Sequence, residues 1–223
     1  MTKIKCKATL VTLLLAACGT ANADFGVGFK AGTLGLGIEG RWSPLPWIDM
    51  RLGANQYDYD TSGSQAGINY DATFALDNYY LTGNFRFPLS PFRITAGAYQ
   101  NGNEVQMTSL DTAGASFTIG NDTFSAADVG QLISVTSFDS TSPYVGVGYD
   151  FEIFGKVGLN LDFGVLWQGE PSVTLAATGF DNAPQSVQDQ LGPALESERV
   201  QLEGEVSDYK AWPVVSLGFV YNF

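Results

Sequence analysis

The sequence predicts an all-β chain: an eight-stranded antiparallel up-and-down transmembrane β-barrel with short periplasmic turns and long extracellular loops. Three observations carry that expectation. Segments after residue 24 alternate apolar and polar residues with period two, their connections alternate between tight and long, and the last strand alternates back from a terminal Phe223.

The chain opens on a leader. Lys3, Lys5 and Lys7 precede an apolar stretch, Ala8 to Ala17, which falls short of the roughly 18 residues a spanning helix needs. Ala21-Asn22-Ala23 puts small residues at the −3 and −1 positions before Asp24, as secretory cleavage requires. Residues 1–23 therefore read as a signal peptide and 24–223 as the barrel, bound for the outer membrane of a Gram-negative bacterium. Leu15-Ala16-Ala17-Cys18 also fits a lipobox in which Cys18 would be lipidated. Cleavage after Ala23 is preferred, because barrel sequence begins almost at once beyond it.

Residue types narrow the chemistry. Both cysteines, Cys6 and Cys18, lie in the leader, and histidine is absent from the chain. A mature chain from Asp24 has no thiolate or imidazole, which removes the commonest general base and soft metal ligands. No enzyme, cofactor or metal site is expected. Without Lys3, Lys5 and Lys7, the 11 basic residues become 8, against 23 acidic ones, a net charge of −15. Such a surface repels nucleic acid. It suits small cationic or zwitterionic solutes, or divalent ions bridging to lipopolysaccharide.

The strands follow in order. Ile48, Met50, Leu52 and Ala54 share one face against Asp49, Arg51, Gly53 and Asn55. Tyr79, Leu81, Gly83, Phe85 and Phe87 oppose Tyr80, Thr82, Asn84 and Arg86; Phe92, Ile94, Ala96 and Ala98 oppose Arg93, Thr95, Gly97 and Tyr99. Val145, Val147, Tyr149 and Phe151 oppose Tyr144, Gly146, Gly148 and Asp150. Val157, Leu159, Leu161, Phe163, Val165 and Trp167 oppose Gly158, Asn160, Asp162, Gly164 and Gln168. The polar face is rich in glycine, which suits a narrow lumen better than a solvated sheet. The apolar face is thus expected to meet lipid. Trp42, Trp47, Phe87, Phe92, Phe154 and Trp212 lie near strand ends, where interfacial girdles form.

Connections at 43–46, 88–91 and 153–156 are tight, whereas 59–72, 105–142 and about 169–210 are long and polar. Within the long ones, 117–119 and 123–124 flank Gly120-Asn121-Asp122 as a small hairpin. Residues 186–207 carry helical spacing in Val187, Leu191, Leu195, Leu202 and Val206, limited by Pro193 and Gly204. Between 25 and 38 the apolar phase switches from odd to even positions. A one-residue slip flips every side chain, so the chain must turn near Gly32-Thr33, and the strand count becomes eight.

Two groups of residues carry the functional expectations. Val215, Leu217, Phe219, Tyr221 and Phe223 match the terminal signature read by the barrel-assembly machinery. Lys30, Glu39, Arg41, Asp49, Arg51, Arg86, Arg93, Asp150 and Asp162 fall on the inward face, with Tyr80, Tyr99 and Tyr144 adding hydroxyls. So many ions away from bulk water must pair. They form either a salt-bridged plug or a polar ladder for a small solute.

Four motifs stand in order: Gly32-Thr33-Leu34-Gly35, Pro143-Tyr144-Val145-Gly146-Val147-Gly148, Gly169-Glu170-Pro171-Ser172-Val173-Thr174-Leu175 and Tyr209-Lys210-Ala211-Trp212-Pro213-Val214. In order and spacing the chain resembles CarO-type ornithine-uptake outer-membrane proteins, and more broadly small OmpA- or OmpW-like barrels. The resemblance implies an eight-stranded barrel and passage of small or basic amino acids. The competing expectation is a non-transporting structural or interaction barrel acting through its extracellular loops.

Overall fold

The computed structural model describes residues 24–65, 68–110, 116–153 and 156–223. The leader and Phe154 lie outside the described residues.

β1 (Asp24–Gly32) and β2 (Gly35–Leu45) form a tight hairpin over Thr33-Leu34, with Gly32 opposite Gly35. Gly35 has φ +95°, a left-handed conformation that glycine adopts without a Cβ clash. The phase switch is therefore a turn. β3 (Ile48–Gln65), β4 (Ile68–Arg86) and β5 (Phe92–Asn101) continue as antiparallel neighbours. β6 (Glu104–Ser109), the hairpin β7 (Ser116–Ile119) and β8 (Asp122–Ser125), α1 (Ala126–Val129) and β9 (Leu132–Ser137) come next. Then follow β10 (Thr141–Glu152), β11 (Val157–Trp167), β12 (Ser172–Ala177), α2 (Gln185–Val206) and β13 (Ala211–Asn222).

Eight of these strands close a ring in the order β1-β2-β3-β4-β5-β10-β11-β13, and β13 returns to β1 with Phe29 opposite Phe219. Closure leaves the ring itself with no unpaired edge, the condition for strands to cross a bilayer. Phe223 N–H donates to Phe25 O at 2.9 Å and pins the chain end to the first strand. Facing follows the alternation. Val27, Phe29, Leu36, Ile38, Leu52, Leu81, Val145, Phe163, Leu217 and Phe219 are exposed around the outside, while their polar neighbours point into the bore. Among the described residues no helix is long and apolar enough to cross a membrane.

At the short-turn end an outward belt of rings runs from Phe85 through Phe87 and Phe92 to Tyr149 and Phe151, with successive centroids 5.3–6.4 Å apart. Trp42 and Trp47 are exposed on the same end. Trp212 departs from the expected girdle. It is half-buried against the interior cluster of Leu34, Tyr80, Tyr99, Tyr144, Leu166 and Val214, because its cross-strand partner Leu166 faces inward.

The long connections carry more regular structure than their polar composition suggested. Residues 59–72 are almost entirely strand, pairing as Tyr59–Phe74 and Thr61–Ala72 beyond the barrel rim. On β4 they meet β6, which continues to β9 and β12, so the wall rises into an off-barrel sheet. The first turn after β2 also falls later than its sequence cue. The strand runs through Ser43 to Leu45 across a register shift and turns at Pro46-Trp47.

α2 is a continuous 22-residue helix through Pro193. That proline sits on the exposed face, where the carbonyl it leaves unpaired reaches water. The buried face of α2, Leu191, Ala194 and Leu195, packs on Phe117, Ile119, Phe124, Val129 and Ala177 as a second core. Acidic residues of the helix also tie it down: Gly120 N–H donates to Glu198 and Val173 N–H to Glu203.

Candidate functional site: a neutral ion lattice across the bore

Inward positions of the ring bring eight of the nine predicted ions into one lattice. Lys30 pairs with Glu39 at 3.3 Å and Asp162 at 3.4 Å. Arg51 reaches Glu39 at 3.4 Å, Asp49 at 3.1 Å and Asp150 at 3.3 Å. Arg86 joins Asp49 at 2.7 Å and Asp150 at 3.0 Å, and Arg93 joins Asp150 at 3.0 Å and also Asp162. Signs alternate around two fused circuits. One runs Glu39-Lys30-Asp162-Arg93-Asp150-Arg51, and the other Asp49-Arg86-Asp150-Arg51. They share the Arg51–Asp150 contact. Four cations and four carboxylates cancel.

Burial explains why the lattice must be complete. Arg51, Arg93, Asp49, Glu39 and Asp162 are all nearly without solvent contact, and a lone buried ion costs several kcal/mol. Neutral groups take up further lone pairs and N–H bonds of the lattice. Asn84 donates to Asp49 Oδ1 at 2.8 Å and accepts from Arg93 at 3.1 Å; Thr95 donates to Asn84 at 2.6 Å; Ser216 donates to Asp162 at 3.3 Å. These supporting residues were legible as polar-face positions, but nothing in the alternation distinguished them from other lumen positions.

Above the ions, toward the loop end, lies an aromatic layer. Tyr80 and Tyr99 stack with centroids 4.9 Å apart, and Tyr144 follows at 5.3 Å. Tyr80 OH donates to Glu39 Oε2 at 2.9 Å, and Lys30 Nζ sits 5.0 Å from the Tyr80 ring centre, so both layers are one packed unit. Leu34, from the β1–β2 turn, dips into this layer beside Leu166 and Val214. A turn residue has no strand phase to read. Leu166, which the reading of its strand passed over, takes its inward place from the phase of Asp162 and Gly164.

Glycine gives the tyrosines their space. A Cβ on Gly53 would clash with the Tyr80 ring, and one on Gly164 would clash with the Tyr144 hydroxyl. Gly164→Ala is therefore expected to displace the Tyr144 ring and cost about 1–3 kcal/mol by overpacking. Urea unfolding in detergent micelles measures this, with Gly83→Ala, where the added Cβ meets nothing nearer than 3.9 Å, as the tolerant control.

The interior between these layers contains a cavity of about 10 Å³, around the lower limit for a single water. The bore is closed. A larger cavity, about 510 Å³, opens at the short-turn end, lined by Arg41, Trp47, Arg86, Phe87, Asp150 and Asn222 among others. Arg41 is the ninth predicted ion, and it stays outside the lattice. It donates from Nε to Ser43 Oγ at 3.1 Å and makes no ion pair among the described residues.

At the loop end Arg199 bridges Glu196 at 2.7 Å and Glu203 at 2.8 Å along α2, and Lys210 bridges Glu170. Hydrogen bonds from Lys210 and Arg199 hold the Glu170 and Glu196 carboxyls below their ordinary values. These pairs are well exposed, and such pairs contribute little to stability. Among the described residues no group of three acidic, cysteine or histidine residues is arranged to hold a metal.

No family model and no curated protein matches the chain. Solved structures do. The chain is similar to CarO2 of Acinetobacter baumannii, with a TM-score of 0.57 and 22% identity over 90% of this chain and 98% of that one. It is similar to CarO of the same organism, with a TM-score of 0.56 and 24% identity over 89% and 97%. The N-terminal barrel of Pseudomonas aeruginosa OprF aligns over 90% of this chain and 96% of that one, with a TM-score of 0.33 and 9% identity. This chain therefore has the closed eight-stranded fold of the CarO barrels.

Proposed function

We propose that this protein is an outer-membrane barrel of a Gram-negative bacterium that takes up small amino acids, basic ones such as ornithine among them, through a lumen closed at rest. In this reading the short turns lie in the periplasm and the loops outside the cell. Lipid and lipopolysaccharide surround the barrel, and the assembly machinery reads Val215 to Phe223.

The observation that carries the reading is the sign-alternating lattice itself. An ammonium or carboxylate entering the bore finds a partner of opposite sign at each step, and a zwitterion can exchange for an existing pair without leaving a buried ion alone. Most acidic residues outside the bore lie on the loop end, where Arg199 and Lys210 are the basic side chains among the described residues. A field of that sign raises the local concentration of cationic solutes.

The closed bore favours a second reading, a structural or interaction barrel that moves no solute. Liposome swelling separates the two. Uptake predicts faster swelling in lysine or ornithine than in a neutral sugar of similar size, with the preference shrinking as salt rises. Equal rates at the level of empty liposomes would leave the structural reading.

A further inference from the structure

One inward cation, Arg41, stands outside the ion lattice and faces a cavity. Arg41 lies directly across the strand pair from Arg51, a like-charge juxtaposition that is unfavourable unless an anion intervenes. Its Nε is held by Ser43 at 3.1 Å, while neither Nη group has a hydrogen-bond partner among the described residues. The lattice offers Arg41 no carboxylate within ion-pair distance, since Asp49 and Asp150 are held by Arg51, Arg86 and, for Asp150, Arg93. The cavity it lines, about 510 Å³, has room for a small organic ligand.

We propose that this cavity at the short-turn end is a binding site for a small organic monocarboxylate, with the Arg41 guanidinium as its receptor. A guanidinium fork matches the planar, two-oxygen geometry of a carboxylate. Ser43 holds one edge of the fork and leaves the other to the ligand. Trp47, Phe87 and Leu89 line the same cavity and suit an apolar substituent on the carboxylate. Asp150 and Glu152, on the same wall, oppose a dianion such as phosphate more strongly than a monoanion. A bound carboxylate supplies Arg41 with the opposite charge that the lattice does not give it. The site does not depend on the barrel conducting solute, since the cavity opens at one end only of the closed lattice.

Propionate is the probe, and the Arg41 side-chain Nε resonance, assigned by its loss in Arg41→Gln, is the readout in detergent micelles at constant ionic strength. The expected result is a saturable shift with propionate and none with propionamide, its neutral isostere. The Trp47 indole resonance should saturate at the same concentration. In Arg41→Gln the Trp47 response should weaken at least about tenfold, equivalent to about 1.4 kcal/mol. Arg41→Lys, which keeps the charge without the fork, should fall between the two and serves in place of Arg41→Gln if that variant fails to fold. An unsaturating drift with propionate, an unchanged Trp47 response in Arg41→Gln and Arg41→Lys, or chloride binding as strongly as propionate would overturn the assignment.

Discussion

Replacing Arg51 with methionine is expected to destabilise the barrel by about 3–5 kcal/mol, the typical cost of removing one partner from a buried ion pair. Arg51 is the shared corner of both charge circuits and touches Glu39, Asp49 and Asp150. Methionine fills much of the volume but returns none of the charge, so the bore is left with an uncompensated carboxylate. Arg41→Gln is the matched control. It removes a guanidinium of the same strand pair that has no ion-pair partner among the described residues, and it should change stability by less than about 1 kcal/mol. Urea unfolding in micelles, followed by the electrophoretic shift of the folded barrel, reports both. Equal losses in the two variants would mean that the lattice is not what holds the bore together.

The opposite face gives the second large effect. Leu161 points outward between Tyr149 and Leu217 on adjacent strands, next to the buried Asp162. Arginine at 161 near the bilayer midplane should cost about 2–4 kcal/mol. A spin label at the same position should be reached by oxygen and shielded from water-soluble quenchers. A label accessible to those quenchers but not to oxygen would reverse the facing of the whole barrel, because one residue of register turns every side chain over.

The barrel was legible because a two-residue period is enforced at every inward and outward position. Val157 to Trp167 shows it most cleanly, and the phase break around Gly32 located the first turn. The lattice ions were legible for the same reason: a charge on the face opposite lipid has only the bore to occupy. Which charge pairs with which was not, because pairing depends on tilt and stagger between strands that are distant in sequence, as for Arg51 and Asp150. Arg41 was grouped with the plug although it lies outside it, since phase fixes the face and not the depth. The loop-end sheet was missed for a different reason. Beyond the bilayer the outer face of a strand is free to be polar, so 59–72 lost the alternation that marks a membrane strand while keeping its pairing. Pro193 misled in the opposite direction, since a proline on the solvent side of a helix leaves its freed carbonyl to water.

The ion lattice and the tyrosine layer together close the bore. Planar-bilayer recording of the wild type beside Asp162→Asn tests this closure most directly, because Asp162 joins Lys30 to Arg93. The expected result is a wild type with almost no steady conductance, and discrete openings in Asp162→Asn together with lower thermal stability. A wild type that stays open with a large conductance, or an Asp162→Asn variant unchanged in both conductance and stability, would contradict it.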